Sequence, residues 1–220
     1  MDELKNRRPL SVRENALAQK TAHWLSQKNI TPNQISIISI FFAAAAAICL
    51  LWIPQTSGDM TWIVPIFAAL LIQARLLCNL FDGMVAVEGG KKTRSGELFN
   101  DIPDRIADPM ILVSAGYAIS VVSWGDALGW GAGLLAIMTA YVRTLSASIG
   151  APVNFQGPMA KQHRMALMTA ACLFAAAEAY FGLADYAFLI ALIVMIVGSI
   201  LTVYRRTMAA YRFLESNQRV

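Results

Sequence analysis

The chain is short of charge, of cysteine and of histidine. Of its 220 residues only 15% are Asp, Glu, Lys or Arg, against 57% hydrophobic, with three cysteines and two histidines. A soluble domain carries about 25% charged and about 45–50% apolar residues, so a plain aqueous globule is excluded. Cys49, Cys78 and Cys172 each lie inside an apolar run with no C-x-x-C spacing, which excludes a disulfide scaffold and reads as three small buried hydrophobes. The first thirty residues, MDELKNRRPLSVRENALAQKTAHWLSQKNI, contain no apolar h-region. No cleavable signal is therefore expected, and the first span must itself direct insertion.

What the chain has in quantity is apolar sequence of span length. About 20 residues cross about 30 Å of hydrocarbon, and six stretches qualify: 34–53, 62–87, 97–122, 127–149, 164–182 and 186–204. The expected fold is all-α, a polytopic membrane protein of six transmembrane helices preceded by an N-terminal interfacial amphipathic helix. The expected organisation is a cytoplasmic N-terminus over 1–30, a six-helix domain over 31–207 and a cytoplasmic tail over 208–220. In the N-terminal segment Val12, Ala16, Leu17, Trp24 and Leu25 recur at helical spacing among Arg13, Lys20 and Lys28, the pattern of a helix lying on anionic lipid. A cap packed on the bundle is the alternative. Thr31 and Pro32 then suit the N-cap and first position of a helix.

The cations fix an expected orientation. Apart from Arg75, Arg105 and Arg143 inside spans, all Lys and Arg fall on one side of the six-span arrangement, while the opposite loops carry Asp59, Asp126 and Asp185. By the positive-inside rule both termini are cytoplasmic, in the inner (plasma) membrane of the cell. The net charge of +4 is accounted for by this border, and no nucleic-acid motif accompanies it.

Charge inside spans is costly and marks function. Six of the fourteen acidic residues, Asp82, Glu88, Glu97, Asp101, Asp104 and Asp108, lie between positions 82 and 108. Arg75, Asn79, Asp82 and Ala86 stack on one helix face, and Gly96, Asn100, Asp104 and Asp108 repeat every four residues on the next helix. A hairpin of the two helices would bring Asn79 and Asp82 opposite Asn100 and Asp104. Converging carboxylate and amide oxygens suit a hard cation such as magnesium or manganese and are poor for zinc.

These residues carry a family resemblance. The stretch N79-L-F-D-G-M-V-A-V87, followed by G96-E-L-F-N-D-I-P-D104, resembles the signature of the CDP-alcohol phosphotransferases, D-x-x-D-G-x-x-A-R, a spacer, then G-x-x-x-D-x-x-x-D. Asp82, Gly83, Ala86, Gly96 and Asp104 match. Asn79 and Asn100 stand at two acidic positions, and Val87 stands where the family has Arg. The later segment Gly157-Pro158-Met159-Ala160-Lys161-Gln162-His163-Arg164 is similar to a bacterial branch of the family with the same paired asparagines.

The resemblance implies a transferase of phospholipid biosynthesis. It would move a substituted phosphate from a CDP-linked lipid or alcohol donor to an alcohol acceptor and release CMP, working as a homodimer in membrane lipid. It implies a divalent cation, Mg or Mn, on Asn79, Asp82, Asn100, Asp101 and Asp104, with Asp104 as general base. It also implies CDP contacts at Asp82, Gly83, Ala86 and Gly96. Because Val87 cannot contact phosphate, Lys91 or Arg94 in the intervening turn takes that part in this reading, while Lys161, Arg164 and Arg143 form a second basic group for a phosphate or a charged acceptor. The competing readings are a catalytically impaired relative that binds CDP-lipid and a small cation-coupled transporter. Transporters place such sites near the bilayer midplane within repeats, and the acidic cluster here has no counterpart in the other half of the chain.

Overall fold

The computed structural model describes residues 16–217 except 29, 92 and 94. Among the described residues there are seven α-helices, one short 3-10 turn at Ile53–Gln55 and no strand: α1 Ala16–Gln27, α2 Pro32–Trp52, α3 Met60–Glu88, α4 Gly96–Tyr117, α5 Gly125–Ser148, α6 Lys161–Phe181 and α7 Ala187–Asn217. Five are long and apolar enough to cross a membrane: α2, α3, α5, α6 and α7. The other long helix, α4, is set apart by Glu97, Asp101, Asp104, Arg105 and Asp108 within its 22 residues.

Packing places the helices around a ring in the order α3, α2, α4, α5, α7, α6, with α6 closing back onto α3 and α1 lying on α3. The core is built from small residues and methionines, among them Ala43, Ala46, Ala68, Ala107, Ala132, Met165, Met168 and Met195, all buried. Small side chains let helices approach closely where lipid offers no hydrophobic drive for association. One close backbone approach is between α4 and α5. A Cβ added to Gly129 would lie 2.8 Å from the Val113 carbonyl oxygen and 2.9 Å from the Gly116 Cα, so the two backbones touch there and only glycine fits.

Start signals in the sequence are realised. The Thr31 hydroxyl accepts from the Gln34 N–H at 3.3 Å and the Gln34 side chain accepts from the Thr31 N–H at 2.9 Å, a complete capping box with Pro32 at the first position. Helix ends differ from expectation at two places. The third apolar stretch stops being helical at Tyr117 instead of 122, because Ala118 and Ile119 turn inward and are buried as loop residues. Hydropathy alone does not separate those two uses of apolar sequence. The last helix continues past 204 to Asn217, since Arg, Met, Ala and Glu sustain a helix outside an apolar run. The position expected to begin a tail, 208, therefore lies inside α7. In α1, Ala18 and Ala22 pack with Ile35, Met84 and Val85 while Trp24 stays exposed. Val12 of the same pattern lies outside the described residues.

Candidate active site

One end of the ring concentrates the charge: its ionisable residues come from α3, α4 and α6, with hydroxyl partners from α2 and α5. Arg75 on α3 is fully buried. Its Nη2 lies 2.9 Å from Asp104 Oδ1 and 2.7 Å from Asp108 Oδ1, both on α4. Lys161, the first residue of α6, pairs with Asp104 Oδ2. One turn further along α6, Arg164 lies 3.0 Å from Asp108 Oδ2 and also donates to Thr139 Oγ1 on α5 at 3.2 Å and to the Met159 carbonyl at 2.9 Å. Asn79 donates from Nδ2 to Asp104 Oδ1 at 3.2 Å. Asp82 is also buried, and the Ser36 hydroxyl of α2 donates to its Oδ2 at 2.6 Å. Burying charges costs several kcal/mol per ion unless pairing and hydrogen bonds offset it. Here two carboxylates, Asp104 and Asp108, meet three cations, Arg75, Lys161 and Arg164, and the adjacent Asp82 carboxylate, held by Ser36, brings the formal charge of the group to zero.

The geometry departs from a simple hairpin. Helix α2 packs between much of α3 and α4, which touch each other little; Arg75 reaches Asp104 with its long side chain, and Asn79 meets the same carboxylate with its amide. Two prolines, Pro103 and Pro109, lie inside α4 beside these aspartates. Each removes an N–H from the helix ladder and leaves a carbonyl one turn earlier without its usual donor.

The other expected site residues divide. On α3 Gly83 directly follows Asp82 and Ala86 lies one turn along from it, both half-buried. Gly96 opens α4, where an added Cβ would meet only Thr93 Oγ1 at 3.5 Å, so no helix contact demands the glycine. Asn100 is exposed. Asp101 turns to Arg105 at 2.9 Å and Arg143 at 3.2 Å, forming a more exposed group beside the cluster, and Arg143 also stacks over Phe155 at 5.8 Å. Lys91 is not at the site. It donates to the Ser26 carbonyl at 2.6 Å near the C-terminus of α1, where a cation meets the negative end of the helix dipole. Arg94 lies outside the described residues.

The sequence reading missed Ser36, Thr139 and Arg206 and left Arg75 without a role. Arg206, read as a border cation, is buried and donates to the Gln156 carbonyl at 2.9 Å and the Thr139 carbonyl at 2.7 Å. With Thr202, whose hydroxyl accepts from the Met159 N–H at 3.0 Å, it moors the segment before α6 and so sets where Lys161 and Arg164 begin. Position on a helix within an apolar run was the available signal for Arg75. For Ser36 there was none, because serine between isoleucines reads as ordinary span sequence.

Comparison with known proteins decides the family. The sequence model of the CDP-alcohol phosphatidyltransferase family matches residues 29–204. The chain belongs to the CDP-alcohol phosphatidyltransferase family. Among characterised members and relatives it is similar to a phosphatidylinositol phosphate synthase of Streptomyces avermitilis, 25% identical over 198 residues covering 87% of this chain and 76% of that protein. It is also similar to the inner membrane protein YnbA of Escherichia coli, 23% identical over 154 residues covering 68% of this chain and 70% of that one. In structure it resembles the phosphatidylinositol phosphate synthase of Mycobacterium tuberculosis solved with CDP-DAG bound, with a TM-score of 0.73 at 17% identity, covering 90% of this chain and 94% of that one. The same enzyme in complex with manganese and citrate gives a TM-score of 0.72 at 18% identity, covering 88% of each chain. At these identities the likeness is one of fold. This CDP-alcohol phosphatidyltransferase is thus a multi-pass membrane member of a transferase family of phospholipid biosynthesis that uses divalent cations.

The donor set at the site fits such a cation. Asp82 provides a buried carboxylate and Asn79, one turn before it on α3, an amide oxygen, both hard ligands. Asn79 spends its N–H on Asp104, which leaves its carbonyl oxygen as the group suited to a cation.

Proposed function

We propose that this chain transfers a phosphatidyl group from CDP-diacylglycerol to an alcohol and releases CMP, at the cytoplasmic end of a six-span bundle in which α4 is the third span and both termini are cytoplasmic. The observation that supports this most is the neutral cluster of buried Asp82, Asp104, Asp108, Arg75 and Arg164 with the half-buried Lys161. The acceptor oxygen attacks the phosphatidyl phosphorus, the bond from that phosphorus to the bridging oxygen breaks, and CMP leaves with that oxygen. Asp104 takes the hydroxyl proton. Lys161, which the donor phosphates attract, moves off Asp104 as they enter and frees its Oδ2 for the proton. Arg75 Nε and Nη1 are buried and make no hydrogen bond among the described residues, so they are available to phosphate oxygens in a fork that Lys cannot offer. A divalent cation on Asp82, Asn79 and Asn100, when bound, neutralises the pyrophosphate and stabilises the leaving CMP. Gly83 and Ala86 allow the nucleotide close approach to α3.

The test is CMP release by the purified protein in nanodiscs, with CDP-diacylglycerol, magnesium or manganese and a panel of alcohols. Turnover with at least one acceptor, abolished by Asp104→Asn in a protein that still elutes as a folded particle, is the expected result. Full turnover in that variant would remove Asp104 as the base. The loss of Asp and Arg at positions 79, 100 and 87 favours a second reading, a CDP-lipid binder without turnover. Binding of CDP-diacylglycerol with no CMP release from any acceptor would establish it.

A further inference from the structure

We infer that Lys161 and Arg75 are resident counter-ions of Asp104, and that the chain consequently takes one divalent cation, with Asp82 as its only carboxylate ligand. The inference rests on the transferase reading for the identity of the site, and it concerns the number and place of cations in it.

Both oxygens of Asp104 are already engaged. Oδ1 receives Arg75 and the Asn79 amide, and Oδ2 receives Lys161. Asp108 is held in the same way by Arg75 and Arg164. A metal ion entering beside Asp104 would displace an ammonium from a carboxylate and push it toward a fully buried guanidinium, in a region of low dielectric where like charges repel strongly. Asp82 is different. Among the described residues it forms no ion pair, and its hydrogen-bond donors are neutral, the Ser36 hydroxyl and the Gly83 backbone N–H. It is the one buried carboxylate of the three without a cation in contact.

The asparagine at position 79 belongs to the same arrangement. A carboxylate there would face Asp104 at hydrogen-bonding distance and would need a cation between them. The amide instead donates to Asp104 at 3.2 Å, so the two side chains meet without one. Lys161 can hold its place because the segment before it is anchored: Arg206 and Thr202 of α7 bind Gln156 and Met159. The side chain of Lys161 retains some exposure, which lets it leave for a phosphate while Arg75 stays.

Counting bound Mn²⁺ by electron paramagnetic resonance on the full chain in nanodiscs tests this without reference to turnover. The wild type is expected to bind one Mn²⁺ per chain, and Asp82→Asn to weaken it by at least about tenfold, as expected for loss of the only charged ligand. Lys161→Met should bind a second Mn²⁺, Lys161→Arg should not, and Lys161→Met with Asp104→Asn should return to one. Two ions in the wild type, or none, overturn the inference, as does a Lys161→Met protein that still binds one. If Lys161→Met does not fold, the wild-type count and the Asp82→Asn affinity decide alone, and unchanged affinity in Asp82→Asn overturns the assignment. Absence of CMP release from a wild type that binds one ion would instead count against the transferase reading.

Discussion

Replacing Arg75 by Met is the sharpest perturbation of the bundle, because one buried guanidinium nitrogen serves two carboxylates on another helix. Arg75 Nη2 lies 2.9 Å from Asp104 and 2.7 Å from Asp108. Removing one member of a buried ion pair costs about 3–5 kcal/mol, mainly by leaving the partner charge uncompensated. Each aspartate keeps a second cation, Lys161 or Arg164, which places the expected loss at the lower end, about 3 kcal/mol, or roughly two orders of magnitude in the unfolding constant. The cluster then carries three carboxylates and two cations. Adding Asp108→Asn restores the balance, so the double variant should recover about 1–2 kcal/mol relative to the sum of the single losses. Equilibrium unfolding in mixed micelles with increasing SDS, followed by tryptophan fluorescence, gives all four corners of this cycle. Additive single losses, with an interaction energy within about 0.5 kcal/mol of zero, would refute the claim that charge balance holds α3 to α4.

Three further outcomes follow from local geometry. Gly157 has φ +122° and its Cβ would lie 2.5 Å from Thr202 Cγ2, so Gly157→Ala should destabilise by about 2–3 kcal/mol and slow CMP release by displacing Lys161, with partial recovery on adding Thr202→Ser. Gly129→Ala should cost at least about 2 kcal/mol more than Gly131→Ala, whose Cβ meets only Ile196 Cδ1 at 3.6 Å; equal unfolding midpoints would contradict the close α4–α5 crossing. At the opposite end of the ring, burial raises the carboxyl pKa of Asp185, partly offset by the Ser120 hydroxyl at 3.1 Å. The folded state therefore binds the extra proton, and stability falls as pH rises from the ordinary carboxylate value to the raised one. Unfolding midpoints measured across that window should decline in the wild type and flatten in Asp185→Asn.

Much of this was legible in the sequence because the controlling physics is local. Thr31, Pro32 and Gln34 announce a helix start by hydrogen bonds within one turn, and apolar length alone marks five of the helices. The face that carries Asn79 and Asp82, and the four-residue repeat through Asp104 and Asp108, follow from helical period. What the sequence did not carry is which helices lie side by side. The hairpin expected of α3 and α4 gives way to a ring with α2 between them, an outcome of packing among small residues that no periodicity encodes. The same limit explains Lys91, whose charge suited a phosphate but whose partner is a carbonyl on α1, and Ser36, whose role exists only because α2 approaches Asp82.

The distribution of the ion pairs along the chain has a consequence for how the protein is made. Each Asp, Lys or Arg near a helix centre costs about 2.5–3.5 kcal/mol on insertion, so α4, with five ionisable residues, is a poor candidate to partition into lipid alone. Arg75 has already been synthesised when Asp104 and Asp108 emerge, and it can neutralise them at once. Arg164 follows Asp108 by 56 residues, which at about 5–20 residues per second is several seconds later. Of the cations in contact with these two aspartates, Arg75 is the one made before them, and α6 brings the other two, Lys161 and Arg164, so the cluster ties a segment made early to a segment made late.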